Sequence, residues 1–257
     1  QAIYSIFALY FGMLLALGLY NLLLFFSLRE RIYLSYVAMV SGMVIAQLSI
    51  FGLGNQFIWP SFPAWGNIAL PFGFCTTGFF GAVFAREFLD TKSKAPRFDK
   101  ALLVIQTSFA ITALYPIFFS YKPASIATAL LGIAFSFTAV ACGLHALNRK
   151  QPGAGLFLTA WALLLLGIAA LSLRTLNVLP TNFITSYGML IGSALELLLF
   201  SFALANRIHI LRHEKSQAQT AALNAERQAK EALIESEKAL EQRIVQRTTE
   251  LAEATER

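Results

Sequence analysis

Glu196 is the one acidic residue set deep inside an apolar stretch of this chain. An ionised carboxylate is costly in such surroundings, so Glu196 is expected to be protonated or paired, and it is a functional candidate by default. Gly188 and Gly192 precede it at intervals of four, which places all three on one helical face. Glycines on that face let a neighbouring helix approach closely. Glu196 is then expected to face other helices and not lipid. Two roles stay open for it: a structural acid bonded to a neighbour's hydroxyl or carbonyl, or a group that answers a ligand or signal. Arg174 is a poor partner, because it sits near the outer end of its own apolar run and is expected to snorkel outward. Asn21, Gln47, Asn67 and Gln106 are further polar residues in apolar surroundings, and hydrogen bonds between helices explain them adequately. Pro71 is expected to bend the third apolar run.

Other reactive residue types do not assemble into chemistry. His209 and His213 are four apart, but two ligands do not make a metal site, and solvated helix positions explain them better. His213 next to Glu214 is similar to a kinase phosphoacceptor pair, without the rest of that motif. Cys75 and Cys142 lie inside apolar runs, where they act as small hydrophobes and not as a disulfide framework. There is no nucleophile elbow, no phosphate-binding glycine loop and no metal triad. No catalytic residue, cofactor or metal is therefore expected, and this segment is read as not an enzyme.

The elements that carry these residues follow from composition. Of 257 residues, 57% are hydrophobic and only 13% charged. The mean hydropathy is +0.62. A soluble chain of this size cannot hide so much apolar surface, so the lipid bilayer is its solvent. Charge is also unevenly spread: 16 of the 44 residues from Glu214 to Arg257 are charged, against 18 in the preceding 213. The chain is thus expected to divide into a bundle over residues 1–208 and a polar tail over residues 209–257. The pI near 9.4 does not imply a nucleic-acid partner, because the basic residues stand between apolar runs, as membrane topology requires. The chain starts at Gln1 with no basic region ahead of its first apolar run, which is too long for a signal peptide. That run is read as a true span, with more chain expected before it.

Seven stretches are long enough to span a bilayer: about residues 2–28, 32–51, 65–85, 101–119, 124–147, 155–173 and 183–206. Backbone polar groups cannot be left open in hydrocarbon, so each is expected to be a helix. Alternate connections are strongly basic. Arg29, Arg31, Arg86, Lys92, Lys94, Arg97, Lys100, Arg149, Lys150, Arg207, Arg212 and Lys215 fall on one side, and only Lys122 and Arg174 on the other. The positive-inside rule puts the first side in the cytoplasm, with the N-terminus outside and the tail inside. The connection Gly52–Trp65 carries Phe57, Trp59, Phe62 and Trp65 without a charge, as an outer interfacial loop would.

Past Gly192 the chain has no glycine, and past Pro180 no proline, so nothing breaks a helix from the seventh span to Arg257. As a helix, residues 209–257 would extend about 70 Å. A lone polar helix of that length needs a partner. Ala218, Ala222, Ala225, Ala229, Ala232 and Ala239 lie near one stripe. Leu233, Leu240, Ile244 and Leu251 form a second, with Glu237 and Arg247 at the remaining seam positions. The expectation is a parallel homodimeric coiled coil with a weak seam and a shift between two registers, against the plainer reading of a charged linker helix.

These pieces resemble a known family. Gly18 to Tyr36 (GLYNLLLFFSLRERIYLSY) resembles the first hairpin of the bacterial seven-transmembrane receptors with diverse intracellular signalling modules (7TMR-DISM). Gly52 to Pro60 (GLGNQFIWP) looks like its first outer loop. Phe88 to Thr91 (FLDT) and Glu196 to Arg207 (ELLLFSFALANR) look like an inner loop and its last span. The resemblance covers about residues 1–208. Leu240 to Leu251 (LEQRIVQRTTEL) resembles the signalling helix that precedes histidine-kinase or diguanylate-cyclase domains. The resemblance implies the bacterial inner membrane, an extracellular sensor domain before the first span and a cytoplasmic output domain after the tail, both on the same polypeptide. It supplies no ligand residues.

The expected class is thus an all-α membrane protein, a seven-helix bundle whose last span continues into a cytoplasmic parallel coiled coil, acting as a signal transducer. A small-molecule membrane transporter is the alternative. It would show an internal repeat, broken helices and mid-membrane charges, of which only Glu196 is present. A retinal photoreceptor would need a lysine in the seventh span, which has none.

Overall fold

The computed structural model describes residues 2–118, 121–175 and 177–255. Beyond Asn206 it describes the side chains of residues 216, 217, 219–232, 236, 238 and 244. Every regular element among the described residues is helical. In chain order these are α1 (Ala2–Leu28), α2 (Arg31–Ile50), a one-turn π segment (Gly54–Ile58), α3 (Pro63–Phe88), α4 (Thr91–Lys94), α5 (Pro96–Phe118), α6 (Tyr121–Asn148), α7 (Ala154–Thr175) and α8 (Phe183–Thr255). The chain divides into two compact units, Gln1–Leu204 and Ala205–Arg257.

The breaks between helices have local causes. α2 stops where Gly52 turns to φ 71°. After α6, Lys150 takes the left-handed conformation at φ 53°, and the Gln151 N–H reaches back to the Ala146 carbonyl at 3.0 Å. Asn177 does the same after α7, with the Val178 N–H on the Leu173 carbonyl at 2.9 Å. Both satisfy carbonyls that a helix end leaves open. Gly153, at φ 83°, lies against the Phe88 ring, where a Cβ would come within 2.9 Å. Only glycine suits both that backbone conformation and that contact.

Within the first unit α1, α2, α3, α5, α6 and α7 pack in chain order, and α3 also meets α6. α8 closes the bundle: its residues touch α1 through Tyr10–Ser193, α2 through Tyr36–Leu197, α3 through Phe84–Phe200 and α7 through Phe157–Phe200. Phe84, Phe88, Phe157 and Phe200 form one aromatic cluster linking α3, α7 and α8. The outward surface is apolar instead of charged. Leu9 is 77% exposed, Leu23 69%, Ile111 70% and Phe137 76%. That is the pattern of a bundle solvated by lipid tails, where burial does not drive helices together.

Six helices are long and apolar enough to cross a membrane among the described residues: Tyr4–Leu28, Arg31–Ile50, Pro63–Phe88, Lys122–Asn148, Ala154–Arg174 and Phe183–Asn206. The fourth expected span lies on α5, which is not one of them. Its first turns carry Asp99 and Lys100, and Gln106, Thr107, Ser108 and Thr112 dilute the rest.

Candidate functional site

One group of buried polar side chains in the first unit gathers along α8. Asn21, on α1, donates from Nδ2 to the Ser201 hydroxyl at 2.8 Å and to the Leu17 carbonyl at 2.9 Å. The Tyr10 and Ser193 hydroxyls meet at 2.9 Å. From α2, Tyr36 donates to the Leu197 carbonyl at 2.7 Å, and Tyr33 to the Leu204 carbonyl at 3.4 Å. Glu196 lies on α8 between Ser193 and Leu197, among these residues, and is 4% exposed. None of these hydrogen bonds ends on its carboxyl, and it forms no ion pair among the described residues. Arg174 is half-buried and points to the Thr181 hydroxyl at 3.5 Å. The Asn21 Oδ1 is buried without a partner among the described residues.

Gly192 and Gly188 lie one and two turns before Glu196, against the backbone of α7. A Cβ on Gly192 would come within 2.7 Å of the Leu163 carbonyl oxygen, and one on Gly188 within 2.9 Å of the Gly167 oxygen. On the facing helix, a Cβ on Gly167 would collide with the Gly188 carbonyl. Gly167 and the hydroxyls of Tyr10, Tyr33, Tyr36, Ser193 and Ser201 are parts of this site that sequence reasoning missed. A weak signal existed: Tyr33 and Tyr36 are one turn apart, as are Ser193 and Glu196.

The remaining polar residues behave differently from one another. Gln106 accepts from Arg86 Nη1 at 3.0 Å, between α5 and α3. Gln47 is buried and reaches the Met43 sulfur at 3.7 Å within its own helix. Asn67 is exposed, so it does not serve as a bundle contact. Pro71 is buried inside α3. Cys75 and Cys142 are both free and buried.

A second polar cluster joins the connection after α3 to α5. Arg86 holds Asp99 with two parallel bonds, Nε to Oδ1 at 2.8 Å and Nη2 to Oδ2 at 3.2 Å. The Thr91 hydroxyl donates to the same Oδ1 at 2.8 Å. The Arg86 hydrogen bond holds the Asp99 carboxyl below its ordinary pKa range, with Thr91 adding to it.

In the second unit α8 continues without a break to Thr255. Ala225, Ala232 and Ile244 are exposed there, and Lys230 pairs with Glu226 at 3.1 Å. The side chains of Ala218, Leu233, Leu240 and Leu251, and those of His209 and His213, lie outside the described residues. No group of three metal-ligating side chains occurs among the described residues.

Helices of this length and apolarity make the chain an all-helical, multi-pass membrane protein. The family model described as 7TM diverse intracellular signalling matches residues 3–207, and the chain belongs to that family. This is a membrane signalling module, the class that the four motifs resembled. Neither the curated proteins nor the solved structures contain a match.

Proposed function

We propose that this chain is the transmembrane relay of a receptor, in which α8 carries a signal from the bundle to a dimeric coiled coil. One observation carries the reading: α8 is a single helix, Phe183–Thr255, bearing both the buried Glu196 array and the exposed heptad positions Ala225, Ala232 and Ile244. Displacement of a hydrogen-bonded helix at one point is carried along its length, so one element serves input and output. In this reading α5 is the fourth of seven spans. The N-terminus is periplasmic and the tail cytoplasmic, in the bacterial inner membrane. A sensor domain precedes α1, and a histidine kinase or diguanylate cyclase follows α8. Family membership supports the signalling role, and the basic connections support the orientation.

Two arrangements are needed, each favoured by a different signal state. A stripe of alanines followed by a second stripe in which Glu237 and Arg247 interrupt the leucines suits this, because weak packings differ by only a few kcal/mol. Single cysteines from Ala218 to Leu251, on a background lacking Cys75 and Cys142, test it in native membranes. Crosslinking with heptad periodicity, shifting when the extracellular side is perturbed, is the expected result. No crosslinking at any position would defeat the dimeric relay and favour a transporter or simple anchor.

A further inference from the structure

The connection between α6 and α7 and the short helix α4 line an open surface cleft of about 450 Å³, formed by Ser93, Lys94, Arg149, Lys150, Gln151 and Pro152. Three of the six are cationic. Asp90 is the one carboxylate within ion-pair distance of any of them among the described residues, at 3.9 Å from Lys94 Nζ. It also accepts from the Ser93 hydroxyl at 2.5 Å. Arg149 and Lys150 form no ion pair among the described residues, so the cleft keeps a net positive charge. Beside it Gly153 rests on the Phe88 ring, and Lys150 takes its left-handed turn where backbone bonds close α6.

The cleft lies at the C-terminal end of α6, a helix whose exposed face is apolar. Exposed apolar side chains on α6 run down one side as Ile126, Leu130, Ile133, Phe137, Leu144 and Leu147. Their spacings of three, four and seven follow a single helical face. That stripe ends at Leu147, two residues before Arg149. A phosphate-bearing headgroup with acyl chains matches this layout: cations and an amide around the phosphate, and an apolar helix face for the chains.

We infer that this cleft is a binding site for an anionic glycerophospholipid, with the phosphate held by Lys94, Arg149 and Lys150 and the acyl chains along α6. Free inorganic phosphate shares the headgroup chemistry, but not the use of the α6 stripe. The inference is independent of the relay reading and of which leaflet holds the site.

The purified chain would be taken from mixed micelles containing phosphatidylglycerol and phosphatidylcholine, and its retained lipids weighed by native mass spectrometry. Wild type is expected to retain phosphatidylglycerol preferentially. Neutralising the cleft in K94Q/R149Q/K150Q should weaken that preference about fivefold per side chain. All three residues are exposed, and an unchanged melting temperature would check that the variant folds. R29Q/R31Q, which neutralises exposed residues in the α1–α2 connection and at the start of α2, should leave the preference intact. Equal loss in R29Q/R31Q would reduce the effect to general surface charge and overturn the site, as would full retention in the triple variant. Displacement of the lipid by inorganic phosphate at equal concentration would reveal a free-anion pocket and overturn the lipid assignment.

Discussion

The side-chain amide of Asn21, on the first helix, donates to the hydroxyl of Ser201, on the last, at 2.8 Å across 180 residues of sequence. This bond and the Tyr10–Ser193 bond tie α8 to α1 at two levels. In a bilayer such bonds matter because apolar contact gives no net drive to association. Asn21→Ala and Ser201→Ala should each destabilise the bundle by about 1 kcal/mol. The double variant should cost less than the sum, because the shared bond is lost only once. Additive losses in a detergent unfolding titration would show that the bond contributes nothing.

Gly167 tests the α7–α8 approach from the other side. Gly167→Ala should destabilise by about 1–3 kcal/mol, because the new methyl meets a backbone carbonyl that cannot move alone. Gly132→Ala is the contrast, since a Cβ there meets nothing within 4 Å. It should be neutral or stabilise by up to about 1 kcal/mol through helix propensity. Thermal melts of the two variants side by side would decide. Equal behaviour would show that α7 and α8 do not rely on glycine to approach.

The Arg86–Asp99 pair should make stability pH-dependent in acid. The folded carboxyl titrates below its unfolded value, so its contribution is fully present above the ordinary carboxylate range, near about 4, and is lost as pH falls through the folded pKa. Asp99→Asn should therefore flatten the acid limb of the melting temperature against pH, and Arg86→Gln should flatten it partly. At neutral pH each should cost about 1 kcal/mol, the pair being only partly buried. An acid limb unchanged in Asp99→Asn would assign the acid sensitivity elsewhere.

Glu196→Gln removes an ionisable group from an apolar bundle while keeping its volume. With no ion pair to lose among the described residues, the variant should melt at the wild-type temperature or above it. If the relay reading holds, it should also shift the crosslinking pattern at Ala225 and Ala232. A marked loss of stability would show that the carboxylate itself holds the bundle, and would make Glu196 a structural acid.

Much of the architecture was legible in the sequence because membrane insertion reads local properties. Runs of apolar residues, the polar composition after Arg207 and the absence of helix breakers after Gly192 are decided over one or a few turns. Six helices long and apolar enough to cross a membrane accordingly stand among the described residues. The four motifs that resembled the signalling family all lie inside the matched region, residues 3–207. Glu196 and its two glycines share a face for the same reason, since spacing along one helix is local information.

Tertiary structure decided which faces meet. Hydropathy does not set the rotation of a helix about its axis when lipid and core are equally apolar. The pairings Asn21–Ser201, Tyr36–Leu197 and Arg86–Asp99 were therefore invisible, and Gly167 gave no sign of facing Gly188. Asn67, polar in an apolar run like Asn21, turns outward while Asn21 turns inward. Two basic segments far apart in sequence, Ser93–Lys94 and Arg149–Gln151, form one cleft only because α3, α5, α6 and α7 bring their connections to the same end. Sequence set what each helix is made of; packing set the direction each side chain faces, because that depends on residues of other helices, from 13 positions away for Arg86–Asp99 to 180 for Asn21–Ser201.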